Sequence, residues 1–469
     1  MTTEILAREL RAVLPTGRVL TDPAELDSYS YDASFFAFLH PHPPDVVVQA
    51  RTREDVVAVL RLADRLEVPV TPRGAATGQT GGAVPVRGGI VLDLSQMKAI
   101  VELDKPNLQV FVEPGLVHAD LNAFLARHRL LFPPDPGSSR MCSIGGVVSN
   151  NARGMRAIKY GATSEWVLGL EVVLADGTVI WTGSPGSRAL QSASGYELSK
   201  LFAGAEGTLG VITQLRLRVR PLPAARGLTL AAFDRLEDTA TALSAVFEAG
   251  ILPSAVEILD ERMIQTANAY RPDLGLPPAL AILLFEVDGN PPSVRYEAQQ
   301  IAGIVEPWAS RIEWADEPAR VAQIWEARSV AGAAVGLIQP NGVRAYAGED
   351  ICVPINRLGE ALVRIQAISA EFGIPVASYG HIGGGIVHAA LVADLTDLDQ
   401  IRRVELTADA INRLALDLNG TVTGEHGVGW VRASYLEREH GPALEVMRRI
   451  KRALDPKGIL NPGKFVEAA

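Results

Sequence analysis

Two short motifs near the carboxyl-terminal end of the chain carry the residue types of a metal-assisted active site. The first is His381-Ile382-Gly383-Gly384-Gly385-Ile386-Val387-His388, and the second is Thr423-Gly424-Glu425-His426-Gly427. A spacing of seven does not place two strand residues on one face, but a bend at 383–385 would bring both imidazoles to one point. Two histidines and a carboxylate with open positions suit a divalent metal. Packed or surface histidines are the alternative, which is weakened because three of only eight histidines fall in these motifs.

A glycine- and threonine-rich segment, Thr71-Pro72-Arg73-Gly74-Ala75-Ala76-Thr77-Gly78-Gln79-Thr80-Gly81-Gly82, directly follows the apolar run 68–70. Glycine permits positive φ, and successive backbone N–H groups in such a loop form a concave nest for anions. No helix-like segment follows, which argues against a dinucleotide fingerprint, and no Gly-Lys-Ser/Thr ending marks a Walker loop. These residues alone therefore allow either a pyrophosphate cradle or an ordinary surface loop.

The order of predicted helices and strands changes near Pro221 and Pro223. Before that point the patterns predict helices over 53–66 and 118–127, and strands over 45–50, 68–71, 90–94, 100–104, 108–112, 168–174, 178–181 and 215–219. After it, strands over 228–233, 256–259, 282–287 and 345–353 alternate with helices over 235–249, 291–304, 318–330 and 357–372. This alternation predicts an α+β layer with the sheet on one side and helices on the other.

Composition limits the classes of function. The 469 residues predict two or three domains, and 48% hydrophobic with 21% charged residues is typical of a well-packed protein. A net charge of −10 without dense basic runs argues against nucleic acid as a partner. Two cysteines, Cys142 and Cys352, cannot form a disulfide framework. Residues 1–14 predict a short amphipathic helix rather than a signal peptide, and residues 374–392 contain too many glycines and histidines for a membrane span.

Further motifs in the first half share an order and spacing that resembles a known family. They are Pro133-Pro134-Asp135-Pro136-Gly137-Ser138-Ser139, Cys142-Ser143-Ile144-Gly145-Gly146-Val147-Val148-Ser149-Asn150-Asn151-Ala152, Lys159-Tyr160-Gly161, and Phe202-Ala203-Gly204-Ala205-Glu206-Gly207-Thr208-Leu209-Gly210-Val211-Ile212-Thr213. With the tail Leu454–Lys464, they resemble FAD-linked oxidases of the vanillyl-alcohol oxidase / p-cresol methylhydroxylase superfamily. The subgroup that the chain is most similar to contains glycolate oxidase flavoprotein subunits, D-lactate dehydrogenases and D-2-hydroxyglutarate dehydrogenases.

The resemblance implies an α+β fold made of a two-part FAD-binding domain of the p-cresol methylhydroxylase type and an α+β substrate (cap) domain. A carboxyl-terminal segment would return to the flavin. The predicted boundaries are 1–220 for the FAD-binding domain, 221–418 for the substrate domain, and 419–469 for the segment that completes the flavin site.

The resemblance also implies the residues that bind FAD. The first glycine loop would hold the pyrophosphate through Pro72, Arg73, Gly74, Ala75, Ala76, Thr77, Gly78 and Gln79. The rest of the cofactor would be lined by Pro134, Asp135, Ser143, Gly145, Gly146, Asn150, Gly154, Tyr160, Glu206, Gly210 and Ile212, and Asn461 would close the pocket. Some relatives tether FAD through a histidine in the first loop. This loop contains none, so the predicted FAD is non-covalent.

For catalysis, the resemblance makes His381, His388 and Glu425 ligands of a divalent metal, Zn or Mn, and His426 the general base. Arg328, in a Trp-x-x-Arg motif, would clamp the substrate carboxylate in a bidentate manner. The implied reaction is oxidation of a D-2-hydroxy acid to the 2-oxo acid, with hydride passing to N5 of FAD. The family pattern H-x-G-D-G-N-x-H is altered here, because Gly384 replaces its Asp and Ile386 its Asn. The resemblance therefore does not specify which 2-hydroxy acid is oxidised.

The implied partners are a small 2-hydroxy acid and an electron acceptor. The acceptor could be a quinone, an electron-transfer flavoprotein, a cytochrome or an iron–sulfur partner subunit, since no cysteine cluster in the chain can hold such a centre. The expected location is cytoplasmic, not integral to a membrane, with peripheral contact through a partner left open. A homodimer and a hetero-complex are both compatible with the sequence.

Two alternatives remain at this point. One is a metal-free oxidase of phenolic or other alcohols, which the apolar Ile386 favours and the paired histidine motifs oppose. The other is a flavin-binding accessory subunit without a substrate of its own, which would be expected to have lost the metal set and His426.

Overall fold

The computed structural model describes residues 2–347 and 350–466. The helices are α1 Thr3–Val13, α2 Pro23–Asp27, α3 Phe35–Leu39, α4 Arg53–Leu66, α5 His118–Ala126, α6 Ile144–Ser149, α7 Ala157–Tyr160, α8 Leu198–Phe202, α9 Leu236–Glu248, α10 Glu261–Tyr270, α11 Pro291–Val305, α12 Pro318–Ala334, α13 Leu358–Phe372, α14 Leu398–Asp417, α15 Leu436–His440 and α16 Ala443–Leu454.

The strands are β1 Arg18–Leu20, β2 Val46–Gln49, β3 Val70–Arg73, β4 Ile90–Asp93, β5 Ile100–Asp104, β6 Gln109–Val112, β7 Leu130–Leu131, β8 Val167–Val173, β9 Val179–Trp181, β10 Val211–Arg218, β11 Arg220–Pro221, β12 Ala225–Phe233, β13 Ala255–Asp260, β14 Ala281–Gly289, β15 Arg311–Ala315, β16 Val343–Ala345, β17 Asp350–Cys352, β18 Val376–Gly380 and β19 Ile386–Ala393. A single strand over 345–353 was predicted. The structure has β16 and β17 there, and Gly348 and Glu349 between them lie outside the described residues.

The chain forms two compact units, each made of segments that are separated in sequence. The first unit comprises Met1–Arg153, Ala162–Leu222 and Glu425–Ala469, and the second comprises Gly154–Gly161 and Pro223–Gly424. The carboxyl-terminal residues therefore return to the unit that contains the amino terminus.

The first unit contains a four-stranded sheet in the order β1-β2-β4-β3 and a five-stranded antiparallel sheet in the order β5-β6-β10-β8-β9. Strands β2, β4 and β3 are mutually parallel neighbours, and α4 connects β2 to β3. Helix α4 begins in a capping box between Thr52 and Asp55, which satisfies amide groups that a helix start leaves unpaired. The carboxyl-terminal tail joins the edge of this sheet, because Val70 forms a parallel bridge with Leu460.

The second unit is built on an eight-stranded sheet in the order β15-β12-β14-β13-β18-β19-β16, with β17 also paired to β19. The prediction of helices on one side only is wrong. Leu228 of β12 packs in a core cluster with Met263 of α10 and Ile324 of α12. The next residue, Thr229, donates to the carbonyl of Ala298 in α11, and consecutive strand residues point to opposite faces. Helices therefore cover both faces, and the central strands are buried on both sides.

A buried carboxylate at the end of β13 gives this unit a pH-dependent stability. Asp260 accepts hydrogen bonds from the amides of Met263 (2.9 Å) and Ser378 (2.6 Å), and burial raises its pKa to about 6. Because the folded-state pKa lies above the ordinary value, stability is fully present at low pH and is lost as pH rises through 6. Relative to Asp260→Asn, we expect the free energy of unfolding of the wild type to fall by about 2 kcal/mol between pH 4 and pH 7. Denaturant titrations at both pH values measure the difference, and a pH-independent difference would contradict the assignment.

Candidate functional site

The glycine loop of the first unit presents a run of backbone N–H groups with no protein acceptor. Strand β3 ends at Arg73, and the residues that follow are in neither helix nor strand until β4. Within 2–347 and 350–466, the amides of residues 74–79 donate to no acceptor. The side-chain oxygen Oε1 of Gln79 is buried and likewise has no partner among the described residues. The amide donors and this acceptor oxygen are available to a ligand.

Arg73, one of the predicted phosphate-binding residues, has its side chain occupied by protein carbonyls. Nη1 donates to the carbonyl oxygens of Tyr31 (2.9 Å) and Ala83 (3.3 Å), and Nη2 donates to that of Ser28 (3.3 Å). The side chain is buried, and burial lowers the pKa of its guanidinium although nearby carboxylates oppose the shift. The guanidinium therefore fastens residues 28–31 to the loop, and the backbone of Arg73 is what it can offer to a phosphate.

Gly81 shows why this loop requires glycine. Its φ is +76°, and a Cβ there would overlap Nε1 and Cδ1 of Trp430. The amide of Trp430 in turn donates to the carbonyl of Thr80 (3.1 Å). The loop and the segment around residue 430 are therefore packed too closely for any side chain at this position.

We expect Gly81→Ala to weaken FAD retention by about tenfold or more. A left-handed alanine costs about 1–2 kcal/mol, and the clash with Trp430 adds to that cost. The measurement is the FAD content after gel filtration, together with the dissociation constant for added FAD. Gly195→Ala is the matched control, because φ is +88° there and a Cβ would meet no atom within 4 Å. Equal FAD affinities in the two variants would contradict this account of the loop.

A second group of predicted cofactor residues surrounds the start of α6. Ser143 caps this helix by accepting from the amide of Gly146 (3.4 Å), and its Oγ leaves no room for a Cβ on Gly74. A Cβ on Gly145 would lie 2.6 Å from Cβ of Pro114. The glycine loop and α6 thus approach each other through residues that have no side chain to interpose.

Loop 133–139 is held by a histidine that the sequence did not single out. Nε2 of His118 lies 2.6 Å from the carbonyl of Pro134, and its Nδ1 lies 2.7 Å from Oγ of Ser139. Burial lowers the pKa of His118, so the ring is neutral near pH 7. The predicted residues Pro134 and Asp135 therefore lie in a loop that is held by His118 of α5.

The segment that begins at Glu425 is fastened by side chains of the first unit. Nδ2 of Asn150 donates to the carbonyl of Glu425 (2.7 Å), and Oγ1 of Thr80 donates to that of His426 (3.4 Å). The buried carboxylate of Glu206 accepts from the amides of Val428 and Gly429, both at 2.8 Å. Glu206, predicted as a cofactor residue, thus holds the chain just after His426.

Asn461 links the carboxyl-terminal tail to the same place. Its Nδ2 donates to the carbonyl oxygens of Gly82 (2.9 Å) and Glu206 (2.7 Å), and its φ is +45°. Its Oδ1 is buried without a partner among the described residues. The tail therefore reaches the end of the glycine loop and has an acceptor oxygen there.

The remaining predicted cofactor residues lie apart from the glycine loop in sequence. Gly210 directly precedes β10, and a Cβ on Gly210 would overlap the side chain of Val172. Ile212 is buried within β10. Gly154 and Tyr160 belong to the short segment that is part of the second unit, where Oη of Tyr160 donates to Asp288 (2.5 Å).

In the second unit, the two motif histidines meet as the glycine bend predicts. His381 follows β18, a 3₁₀ turn covers Ile382–Gly384, Gly385 has φ of +84°, and His388 lies in β19. The imidazole centroids of His381 and His388 are 5.1 Å apart and the rings are perpendicular. Both side chains are buried.

Each of these histidines faces a buried carboxylate that the sequence analysis missed. Nδ1 of His381 lies 2.6 Å from Oε1 of Glu257, and Nδ1 of His388 lies 3.5 Å from Oδ1 of Asp350. Strand pairing creates both contacts: β17 places Asp350 opposite His388, and β13 is the neighbour of β18. Burial alone would raise the pKa of Glu257, but His381 and then Arg328 lower it, so the carboxylate is ionised at neutral pH.

Arg328 lies in α12 and shares Glu257 with His381. Its Nε donates to Oε2 of Glu257 (2.7 Å), and its guanidinium carbon lies 4.7 Å from the ring centroid of Tyr379. Within 2–347 and 350–466, this is the hydrogen bond that the Arg328 side chain makes, which leaves its terminal N–H groups to other acceptors. The structure thus brings the guanidinium of Arg328 and the imidazole of His381 together on one carboxylate.

The chain is similar to known flavin-dependent oxidoreductases along nearly its whole length. Residues 222–465 match the model of the FAD linked oxidases, C-terminal domain, and residues 44–183 match an FAD binding domain. The chain is 35% identical to glycolate oxidase subunit GlcD of Bacillus subtilis, over 93% of this chain and 91% of that protein. It is 36% identical to a probable mitochondrial D-lactate dehydrogenase of Danio rerio, over 91% of this chain and 85% of that one.

The chain belongs to the FAD-linked oxidases. Its fold matches that of p-cresol methylhydroxylase with a TM-score of 0.81 at 17% identity, covering 99% of this chain and 96% of that one. The predicted α+β fold, with an FAD-binding domain of the p-cresol methylhydroxylase type, is thereby confirmed. The family assignment makes this protein an oxidoreductase that uses FAD.

The first unit of this FAD-linked oxidase fits the cofactor. A pyrophosphate carries two negative charges and needs N–H donors, and the amides of residues 74–79 have no acceptor within 2–347 and 350–466. Gly81 permits the close packing that holds the loop in this form, and the buried Oε1 of Gln79 is a further polar group without a protein partner among the described residues. In the part of this FAD-linked oxidase that the structure describes, no helix has the length and apolar character to cross a membrane.

Proposed function

We propose that this FAD-linked oxidase converts a D-2-hydroxy acid into the corresponding 2-oxo acid. The observation that carries the proposal is the pair of buried histidines, His381 and His388, in the same unit as a buried arginine with unused N–H donors. Relatives named glycolate oxidase and D-lactate dehydrogenase act on acids of this class. A 2-hydroxy acid offers the two functional groups that such a cluster can bind, a carboxylate and an adjacent hydroxyl.

Arg328 would bind the substrate carboxylate. Its Nε is committed to Glu257, while its terminal nitrogens can form the paired hydrogen bonds that a carboxylate accepts. The ring of Tyr379 supports the guanidinium from one side, so the donors have a fixed plane. Ile386, which stands where the family pattern has Asn, would favour an acid whose side chain is small or apolar.

His381, His388 and Glu425 would hold a divalent metal, Zn or Mn. The two histidines fit, because each ring has Nδ1 towards a carboxylate, the arrangement usual for metal-bound histidine. Glu425 directly follows Gly424, whose amide donates to the carbonyl of Asp350 (3.0 Å). Such a metal would polarise the substrate hydroxyl and lower its pKa.

His426 would remove the hydroxyl proton as general base. Its backbone is fixed through Thr80, and the segment after it is fixed through Glu206. An imidazole is suited to this role because its pKa lies close to neutral. FAD, when bound, supplies the acceptor for the hydride that leaves C2.

The direct test is oxidation of a substrate panel with an artificial dye as electron acceptor. D- and L-lactate, glycolate, D-2-hydroxybutyrate, D-2-hydroxyglutarate and 4-ethylphenol cover the acid and phenol classes. We expect turnover with at least one D-acid and little with its L-enantiomer. Turnover with the phenol alone, or with no member of the panel, would overturn the proposal.

The metal is tested by chelation. After dialysis against a chelator, we expect activity to fall and to return on addition of Mn²⁺ or Zn²⁺, with the FAD content unchanged throughout. Full activity in protein shown to be free of metal would exclude the metal and favour a metal-free alcohol oxidase.

The physiological electron acceptor and the location of the protein are also proposals. Relatives are named as a subunit of glycolate oxidase and as a cytochrome-linked D-lactate dehydrogenase, which supports transfer of electrons to another protein. A quinone, an electron-transfer flavoprotein, a cytochrome or an iron–sulfur subunit would each serve. We place the protein in the cytoplasm, where a chain with only two cysteines and no disulfide framework is usual.

A further inference from the structure

We propose that Glu257 is a positioning residue which fixes the metal ligand His381 and the substrate-binding Arg328 at the same time. The inference rests on the proposed function. It adds a residue that contacts both a proposed metal ligand and the arginine proposed to bind the substrate carboxylate. All three side chains lie in the second unit, on β13, after β18 and in α12.

The two oxygens of Glu257 are divided between the two partners. Oε1 lies 2.6 Å from Nδ1 of His381, and Oε2 accepts from Nε of Arg328 at 2.7 Å. The side chain of Glu257 is fully buried, and those of His381 and Arg328 are about one-tenth exposed. Among the described residues Glu257 has no other hydrogen-bonding partner, so its carboxylate serves this pair.

The contact with His381 selects a tautomer. A carboxylate accepts, so Nδ1 of the ring must carry the hydrogen, and Nε2 then keeps the lone pair that a metal requires. The family pattern places a carboxylate within the histidine motif, where this chain has Gly384. Glu257 supplies that carboxylate from a neighbouring strand, 124 residues earlier in the chain.

The contact with Arg328 orients the guanidinium. Bonding through Nε holds one edge of the guanidinium against Glu257, while the guanidinium carbon lies 4.7 Å from the ring centroid of Tyr379. Because one rigid carboxylate holds both groups, the metal ligand and the carboxylate clamp keep a fixed separation. A substrate that must reach both is thereby selected for the distance between its carboxylate and its hydroxyl.

Glu257→Gln is the informative substitution. Glutamine keeps the shape of the side chain but has one acceptor oxygen, whereas Nδ1–H of His381 and Nε–H of Arg328 are both donors. One of the two contacts must therefore be lost. We expect the Kd of the metal-free holoenzyme for Mn²⁺ to rise about 10- to 100-fold, or the KM for D-lactate to rise about tenfold or more.

The matched control is Asp260→Asn, which removes a fully buried carboxylate from the same strand. Asp260 accepts from the amides of Met263 and Ser378, and not from a histidine or arginine. We expect this control to change the melting temperature and to leave the Kd for Mn²⁺ and the KM near wild type. Glu257→Asp provides a second variant if glutamine prevents folding, since it keeps the charge but is too short to reach both partners.

The outcomes separate the two proposals. A wild-type protein that neither binds Mn²⁺ nor oxidises D-lactate or another D-acid overturns the proposed function and the role of Glu257 with it. If the wild type does both, and Glu257→Gln and Glu257→Asp leave the Kd and the KM unchanged, then only the role of Glu257 is overturned. Equal losses in Asp260→Asn would also overturn it, because the effect would then be one of general stability.

Discussion

We expect His426→Ala to lower the rate of flavin reduction by a saturating D-2-hydroxy acid by about 10²- to 10⁴-fold, the range typical for loss of a positioned general base. The contacts that hold this segment involve the backbone of His426 and the amides of Val428 and Gly429, so they survive the substitution. FAD content and metal content should therefore stay at wild-type values. Stopped-flow spectroscopy under anaerobic conditions measures the rate.

The pH dependence provides an independent check on that role. A general base must be deprotonated to accept the proton, so any rise of the wild-type rate with pH that reflects this base should be absent from the residual rate of the variant. His440→Ala is the control, because His440 is partly exposed and is paired only weakly with Glu439 at 3.8 Å. A His426→Ala variant reduced at nearly the wild-type rate would remove His426 from the mechanism.

We expect His388→Ala to eliminate metal binding and to lower activity by about 10³-fold or more, since the metal would contribute several kcal/mol of charge stabilisation. Loss of His388 also leaves the buried carboxylate of Asp350 without its imidazole neighbour, which adds a cost in stability. Elemental analysis of the purified variant measures the metal, and the absorbance of bound FAD measures the integrity of the first unit.

The comparison variant for this experiment is His128→Ala, a histidine in the first unit outside both motifs that packs against Phe124. It should retain metal and activity. If His388→Ala retained a full equivalent of metal, the assignment of His388 as a ligand would be wrong. If it lost the metal but kept its activity, the metal would have no part in the reaction.

Local sequence signals predicted much of the fold. Helix α4 has the predicted bounds because the capping residue Thr52 and the apolar periodicity mark both of its ends. The bend in the histidine motif was also predictable, since only glycine at residue 385 readily takes a φ of +84°. Helix α14 was not assigned, although its capping residue Asp397 and its amphipathic pattern were signals that could have revealed it.

The helices on the second face of the large sheet were missed for a different reason. Strands β12, β13 and β14 are buried along nearly their whole length, and such runs do not show which face a helix covers. The family resemblance predicted the residues of the candidate site, but not the two carboxylates that face its histidines. Glu257 and Asp350 meet His381 and His388 through strand pairing between distant segments, and no local pattern marks that register.

Anaerobic reduction of the bound flavin tests the central claim most directly. The purified protein, with FAD and Mn²⁺ or Zn²⁺ bound, is mixed with the D- and L-forms of 2-hydroxy acids of increasing side-chain size, and the absorbance of oxidised flavin near about 450 nm is followed. We predict rapid bleaching by at least one D-acid and none by its L-enantiomer. Absence of bleaching by every acid, in protein that holds both FAD and metal, would contradict the proposed function and favour an accessory subunit or an oxidase of another alcohol.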